Sequence, residues 1–313
     1  MAEQLSQRDS STSLDNDKKV KERIRMFPFD YINYVLLLFV VFVMLYPFWY
    51  IVIMSVSTQA EAVKPGLHLW TNNPTFVSYQ MILKNEILAR SFINTVVRVV
   101  LGTSLNILLT TMVAYALSKR YLPHRTLFTS IIVFTMFFSG GLIPSYLLIT
   151  GMGLQGTIWS LLLPGAISTY NMVVTRNYFM AQPIALEESA KIDGASDVRI
   201  FTQIYIPLSK PILATITLWY MVSHWNAWFD ALIYMGNDTT KMVLQLYLHN
   251  LLVVGSQQML DANQMVVESA AMQPTTESLK AATIIVSTVP IVIVYPFLQK
   301  YFVQGIMVGS LKG

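Results

Sequence analysis

Residues 183–211 read PIALEESAKIDGASDVRIFTQIYIPLSKP. Pro183 suits the start of a helix, because the N–H it lacks is one that a first turn leaves unbonded. Glu187 and Glu188 follow early, where the helix dipole favours acids. Gly194 predicts the end of that helix. Ser196 is placed to cap a second short helix that begins at Asp197. Pro207 and Pro211 close the segment. The pattern predicts a helix–turn–helix lying along a membrane face.

The flanks of this stretch are apolar blocks. A membrane-spanning helix needs roughly 20 mostly apolar residues. Six segments qualify: Tyr31–Val56, Ser91–Leu117, Leu127–Ile149, Gln155–Val174, Ile212–Ile233 and Ala281–Phe302. They predict an all-α, polytopic membrane protein with six transmembrane helices. Pro47 is expected to bend the first. Ser139-Gly140-Gly141 and Pro144 are expected to break the third near its outer end. Met242–Val254 is too short to span and holds Gln245, His249 and Asn250, which predicts an amphipathic helix outside the membrane.

Composition agrees. Of 313 residues, 54% are hydrophobic and 12% charged, against about 25% charged in a typical soluble domain. This argues against a soluble enzyme and excludes a disordered chain. The net charge of +4 is too weak and too scattered for a nucleic-acid partner. With no cysteine, disulfides, thiolate catalysis and cysteine-ligated metals are ruled out.

Charge also orients the chain. Residues 1–30 carry Lys18, Lys19, Lys21, Arg23 and Arg25. The 26-residue block that follows exceeds the 7–15 or so of a signal peptide's apolar core. This predicts an uncleaved first helix after a cytoplasmic N-terminal segment, 1–30. With that orientation the inner segments hold fifteen Lys and Arg residues. The outer ones hold five: Lys64, Lys84, Arg90, Lys241 and Lys280. The asymmetry fits the positive-inside rule and places both termini in the cytoplasm. Residues 31–313 then form one transmembrane domain, with an inner loop at about 183–211 and a long outer loop at about 236–278.

The inner loop carries a spacing pattern. Glu188-Ser189-Ala190 is followed after three residues by Gly194, and after nine more by Ile204-Tyr205-Ile206-Pro207. This resembles the EAA loop of ABC-importer permeases, with Ser189 in place of the middle alanine and Ile206 in place of leucine. The run from Glu187 to Ser196 is similar to the carbohydrate subgroup, of maltose-permease type. The string from Tyr295 to Gly313 is similar to the LplC-like permeases of oligosaccharide importers. The resemblance covers about residues 25–313.

The resemblance implies the type I ABC importer permease fold in the cytoplasmic membrane of a bacterium. It implies a second, homologous permease, two ATPase subunits, and an extracellular lipid-anchored or periplasmic binding protein that delivers an oligosaccharide. Import would proceed by alternating access. It implies that Glu188 pairs with a basic residue of the ATPase and that Gly194 and Ala190 permit the tight turn and close packing. Ile192, Ala195 and Ile200 would be apolar contacts, with Glu187, Asp193 and Pro207 on the same coupling surface. The tail Gly309–Gly313 resembles the family tail that reaches between the ATPases. The chain lacks a Gly-x-x-x-x-Gly-Lys-Ser/Thr loop, so ATP and magnesium are expected on a partner and no cofactor or catalytic residue on this chain.

A sugar path is sought where aromatic faces meet amides and carboxylates. The fifth segment reads Trp219-Tyr-Met-Val-Ser-His-Trp225-Asn226-Ala-Trp-Phe-Asp230. Helical spacing would put Trp219, Asn226 and Asp230 on one face, with Trp225 beside them. Polar groups at membrane depth tend to face a cavity or another helix. An aromatic belt with interhelical hydrogen bonds is the plainer alternative. Tyr170 and Asn171 in the fourth segment, and Asn94, Arg98 and Asn106 in the second, are weaker candidates. Arg98 is as well suited to a partner subunit or a lipid headgroup. In the family the partner permease can hold most of the sugar, and the outer loop docks the binding protein.

Three other readings stand beside this one. An embedded enzyme would need clustered His, Asp or Glu, but the four histidines are scattered. An ion-driven secondary transporter usually shows an inverted repeat and a buried carboxylate relay, and neither is visible. A permease for a non-sugar solute is the third.

Overall fold

The computed structural model describes residues 28–62, 64–236, 238–254 and 275–310. The expectations for the N-terminal segment, most of the outer loop and the end of the tail therefore lie outside the described residues. The described secondary structure is helical, and each of the six apolar segments contains helix.

The chain divides into two units, 1–50 and 51–313. The first contains most of the helix Pro28–Ser55, which runs unbroken through Pro47. Most of its exposed side chains are apolar, among them Leu38, Phe42 and Leu45, as suits a helix whose solvent is lipid.

The second unit is built on the 33-residue helix Glu86–Ser118. Asn85 caps it: its side-chain oxygen accepts from the Ile87 and Leu88 N–H groups, replacing partners a first turn lacks. The helices Thr169–Met180 and Lys210–Asn226 pack on this axis, and Thr276–Ser310 packs on Lys210–Asn226. Among the described residues, three helices are long and apolar enough to cross a membrane: Phe29–Ser55, Glu86–Ser118 and Glu277–Val294. A fourth candidate is the pair Arg125–Phe137 and Leu142–Gly151, bent by 113°. The bend falls at the expected Ser139-Gly140-Gly141, where Gly141 has φ +90°, a conformation that costs glycine least.

The fourth and fifth apolar segments depart from simple spans. Gln155–Val174 is divided between a short turn, Trp159–Leu162, and the helix Thr169–Met180, with Pro164 and Gly165 in the gap. Ile212–Ile233 is divided at Ala227, which is extended (ψ 127°), into Lys210–Asn226 and Phe229–Tyr234. Leu244–His249 and the π-helical Asn250–Val254 occupy the stretch expected to be amphipathic. Val243, Leu244, Leu246 and Tyr247 are buried there, against Glu86–Ser118 and Thr276–Ser310. Asn94 pins the approach to it by donating to the Thr240 and Met242 carbonyls at 2.8 and 2.9 Å.

Candidate functional site

Two polar assemblies stand out in the second unit. The first surrounds the helix gaps. Backbone groups left open at membrane depth must find partners, because lipid offers none. Asn106, on the long helix, donates through Nδ2 to the Gly165 and Ala166 carbonyls at 2.9 and 2.8 Å. Its Oδ1 therefore faces His224 Nε2 at 2.6 Å, and the shared proton sits on Nε2. Gly102 makes the approach possible: a Cβ there would lie 2.5 Å from His224 Nε2. The Tyr220 hydroxyl accepts from the Ser168 N–H at 3.1 Å and bonds the Thr110 hydroxyl at 2.7 Å.

The second gap is held by Arg98, which is only 2% exposed. Its Nη1 donates to the Ala227 carbonyl at 3.3 Å and to Asp230 Oδ1 at 3.1 Å, and its Nη2 donates to Asp230 Oδ2. Arg98 thus pairs within its own chain, rather than with a lipid headgroup or a second subunit. A buried arginine without a carboxylate would be strongly destabilising, so the two-pronged pair explains why the cation is tolerated here.

Beside this network lies a cavity of about 370 Å³. Arg98, Asn171, Trp219, His224 and Asp230 are on its wall. Of the six expected path residues, Trp219, Asn171 and Asp230 are brought together, and Tyr170 stands against Trp219 at 5.7 Å. Asn226 and Trp225 are not. The helix ends at Asn226, so the expected face from Trp219 to Asp230 is not continuous. Asn226 is exposed there and is absent from the cavity wall. Trp225 faces elsewhere. Its Nε1 donates to the Ser287 carbonyl at 3.1 Å, its ring meets Phe92 edge-on at 5.9 Å, and it lines a separate, wholly apolar pocket with Val222 and Pro290.

The second assembly is the inner loop. Pro183 precedes the helix Ile184–Ile192, and Gly194 follows with φ +76°. The Gly194 N–H donates to the Lys191 carbonyl and the Ala195 N–H to the Ala190 carbonyl, at 3.0 and 2.9 Å. This is the Schellman helix end, whose left-handed position favours glycine. Ala190 and Ala195 pack beneath it on a cluster that holds Leu117, Phe179 and Ile200. Ser196 Oγ accepts from the Arg199 N–H, capping the second helix Asp197–Ile200.

Glu187 turns inward. It takes Lys119 Nζ at 2.7 Å, Lys191 Nζ at 2.8 Å and the Tyr205 hydroxyl at 2.9 Å. Lys119 Nζ lies between the rings of Tyr115 and Tyr205, 3.9 and 4.0 Å from their centres. Burial pushes the Glu187 carboxyl up, but the three hydrogen bonds outweigh it and hold the group at about 2. Two expectations for the coupling surface are corrected here. Glu187 is spent on an internal anchor, and Ile200 is fully buried, so neither faces outward. Glu188 and Asp193 are exposed. Ile192 is 86% and Val198 72% exposed, and Pro207 is exposed as well. Lys119, Tyr115 and Tyr205 are the anchoring residues that spacing alone did not single out.

Apolar helices around a polar cavity, with an anchored helix pair on a membrane-face loop, form the architecture of a membrane translocation subunit. No family model matches the chain. Among curated proteins it is 37% identical over 285 residues to the polygalacturonan/rhamnogalacturonan transport system permease protein YtcP of Bacillus subtilis, covering 91% of this chain and 98% of that protein. It is 38% identical over 285 residues to Protein LplC of the same organism, covering 91% and 95%. Among solved structures it matches a chain of a bacterial ABC transporter involved in the import of the acidic polysaccharide alginate, with a TM-score of 0.81 and 34% identity over 88% of this chain and 96% of that one. The chain belongs to the permeases of carbohydrate ABC importers. It is an integral membrane subunit of such a transporter.

Proposed function

We propose that this permease works as one of two homologous membrane subunits above two ATPases, and that the loop 183–211 transmits their closure to the membrane helices. The observation that carries this is the two-sidedness of Ile184–Ile192. Its inward face is fastened to the end of Glu86–Ser118 through Glu187 and Lys119. Its outward face offers Glu188 and Ile192, with Asp193 at its end, and all three are exposed. A rigid lever needs that combination. Glu188 and Asp193 supply charge for a basic partner surface, and Ile192 with Val198 supplies apolar area. The ATPases would hold ATP and magnesium, this chain would do no bond chemistry, and both termini would lie in the cytoplasm.

The cargo we infer is an acidic oligosaccharide delivered by an external binding protein. One relative is named for polygalacturonan and rhamnogalacturonan, and the matched structure is of an importer of acidic alginate. The cavity supports a sugar: Trp219 offers a stacking face and Asn171 an amide, and its volume falls within the roughly 300–1,000 Å³ of small-molecule sites.

The test is Glu188→Lys together with Gly194→Leu, made separately in the reconstituted transporter. Each is expected to abolish cargo-stimulated ATP hydrolysis and import while the complex still inserts. If transport and coupling survive both, the lever assignment is wrong.

A further inference from the structure

We propose that Arg98 is the residue through which this permease reads the carboxylate of a passing acidic sugar, with Asp230 as the resident carboxylate that occupies it when the cavity is empty. This rests on the reading above that the cargo is an acidic oligosaccharide.

The two partners differ in their freedom to move. Arg98 is on the uninterrupted 33-residue helix and its side chain is 2% exposed. Asp230 is on a six-residue helix that follows the helix break at Ala227, and its side chain is 30% exposed. Asp230 also has a second donor, since its Oδ1 accepts from the Ala231 N–H at 2.8 Å. It can release Arg98 and remain hydrogen-bonded at a helix start, where the dipole favours an acid.

The geometry of the occupied state is the geometry a uronate would use. Asp230 engages two nitrogens of the guanidinium at once, and a sugar carboxylate offers the same pair of oxygens. Exchange replaces one carboxylate by another, so the buried cation is never left without an anion. A hydroxyl group cannot make that exchange, because it brings no charge to compensate Arg98. The Nε of Arg98 is buried with no partner, so the empty arrangement leaves that donor unused. Among the described residues on the cavity wall, Arg98 is the arginine or lysine available. Trp219 and Asn171 stand on the same wall, where a ring held by its carboxylate can stack and hydrogen-bond.

Asp230 release has a mechanical consequence. Arg98 also holds the Ala227 carbonyl, so the pair ties the long helix to the break between Lys210–Asn226 and Phe229–Tyr234. Exchange would loosen Phe229–Tyr234 and leave the Ala227 tie in place, so acidic cargo would unlock the segment that closes the break.

The test uses the complete transporter in vesicles with its binding protein, supplied with a galacturonic acid tetramer or with the methyl ester of that tetramer. Import and ATP hydrolysis are both read. The binding protein is common to all arms, so a change in the acid-to-ester ratio between variants reports the permease. Wild type is expected to favour the acid. Arg98→Gln combined with Asp230→Asn keeps a hydrogen-bonded pair without charge, and the acid-to-ester ratio should fall about tenfold or more. Asp230→Asn alone leaves Arg98 without its resident carboxylate and should lower the acid concentration for half-maximal ATP hydrolysis several-fold. A ratio that stays put in the double variant, or acid and ester losses in equal proportion, overturns the role of Arg98. If the double variant does not assemble, the single one decides: no gain for the acid overturns the proposal. Wild type that imports a neutral tetramer of glucose and neither galacturonate form overturns the cargo reading itself, before any variant is compared.

Discussion

Lys119 and Glu187 are 68 residues apart in the chain and their charged atoms are 2.7 Å apart in space. Lys119 follows the last residue of the long helix, and Glu187 lies in the first turn of the loop helix. Both are nearly closed off from solvent. The contact turns a surface loop into an extension of a membrane helix, so force on one reaches the other.

Removing one partner should therefore cost more than removing both. Glu187→Gln leaves Lys119 buried without its anion, a loss of about 3–5 kcal/mol by analogy with other buried pairs. Glu187→Leu with Lys119→Met should restore much of that. Thermal unfolding of the solubilised complex measures the cycle, and equal stability of Glu187→Gln and wild type would show that the pair holds nothing.

The same pair sets a pH window. The Glu187 carboxyl is held at about 2 against an ordinary 4.5. A depressed folded-state value means that the stabilisation is complete above the ordinary value and fades as pH falls from about 4.5 toward 2. The stability difference between wild type and Glu187→Gln should be flat from pH 7 to 5 and shrink between 4.5 and 2.5. A difference that instead grows with acid would contradict this sign.

Gly102→Ala tests the close approach of two helices. The added Cβ would sit 2.5 Å from His224 Nε2, so the imidazole must leave Asn106. Overpacking of this kind costs about 1–3 kcal/mol. Gly151→Ala, with nothing within 4 Å of its Cβ, is the control and should leave the unfolding temperature unchanged.

Asn106→Leu removes the donor to two carbonyls at the Gly165–Ala166 gap. Each unsatisfied group costs about 1–3 kcal/mol, and hydrogen–deuterium exchange in 163–168 should rise. Exchange equal to wild type would mean that the gap is held by something else.

Much of the loop was legible because its signals are local. Pro183, Gly194 and Ser196 act within one turn of themselves, and the structure finds the helix start, the left-handed end and the cap at those positions. The run from Trp219 to Asp230 was misread for the opposite reason. A regular helix was projected across Ala227, while the break there is bridged by Arg98, 129 residues away. Trp225 and Asn226 left the expected face, and Arg98 and His224 entered the site.

The sequence by itself determined that this chain is membrane-embedded, helical and equipped with a loop of the importer-permease kind, because hydrophobic run length, turn chemistry and fixed spacing are properties of neighbouring residues. Only the tertiary structure decided which charges meet. Glu187 is buried and Glu188 exposed although they are adjacent, and Arg98 is neutralised by Asp230 from another helix. A charge at low dielectric is tolerated only with its counter-charge in reach. Which one that is depends on how distant helices pack, something no local pattern encodes.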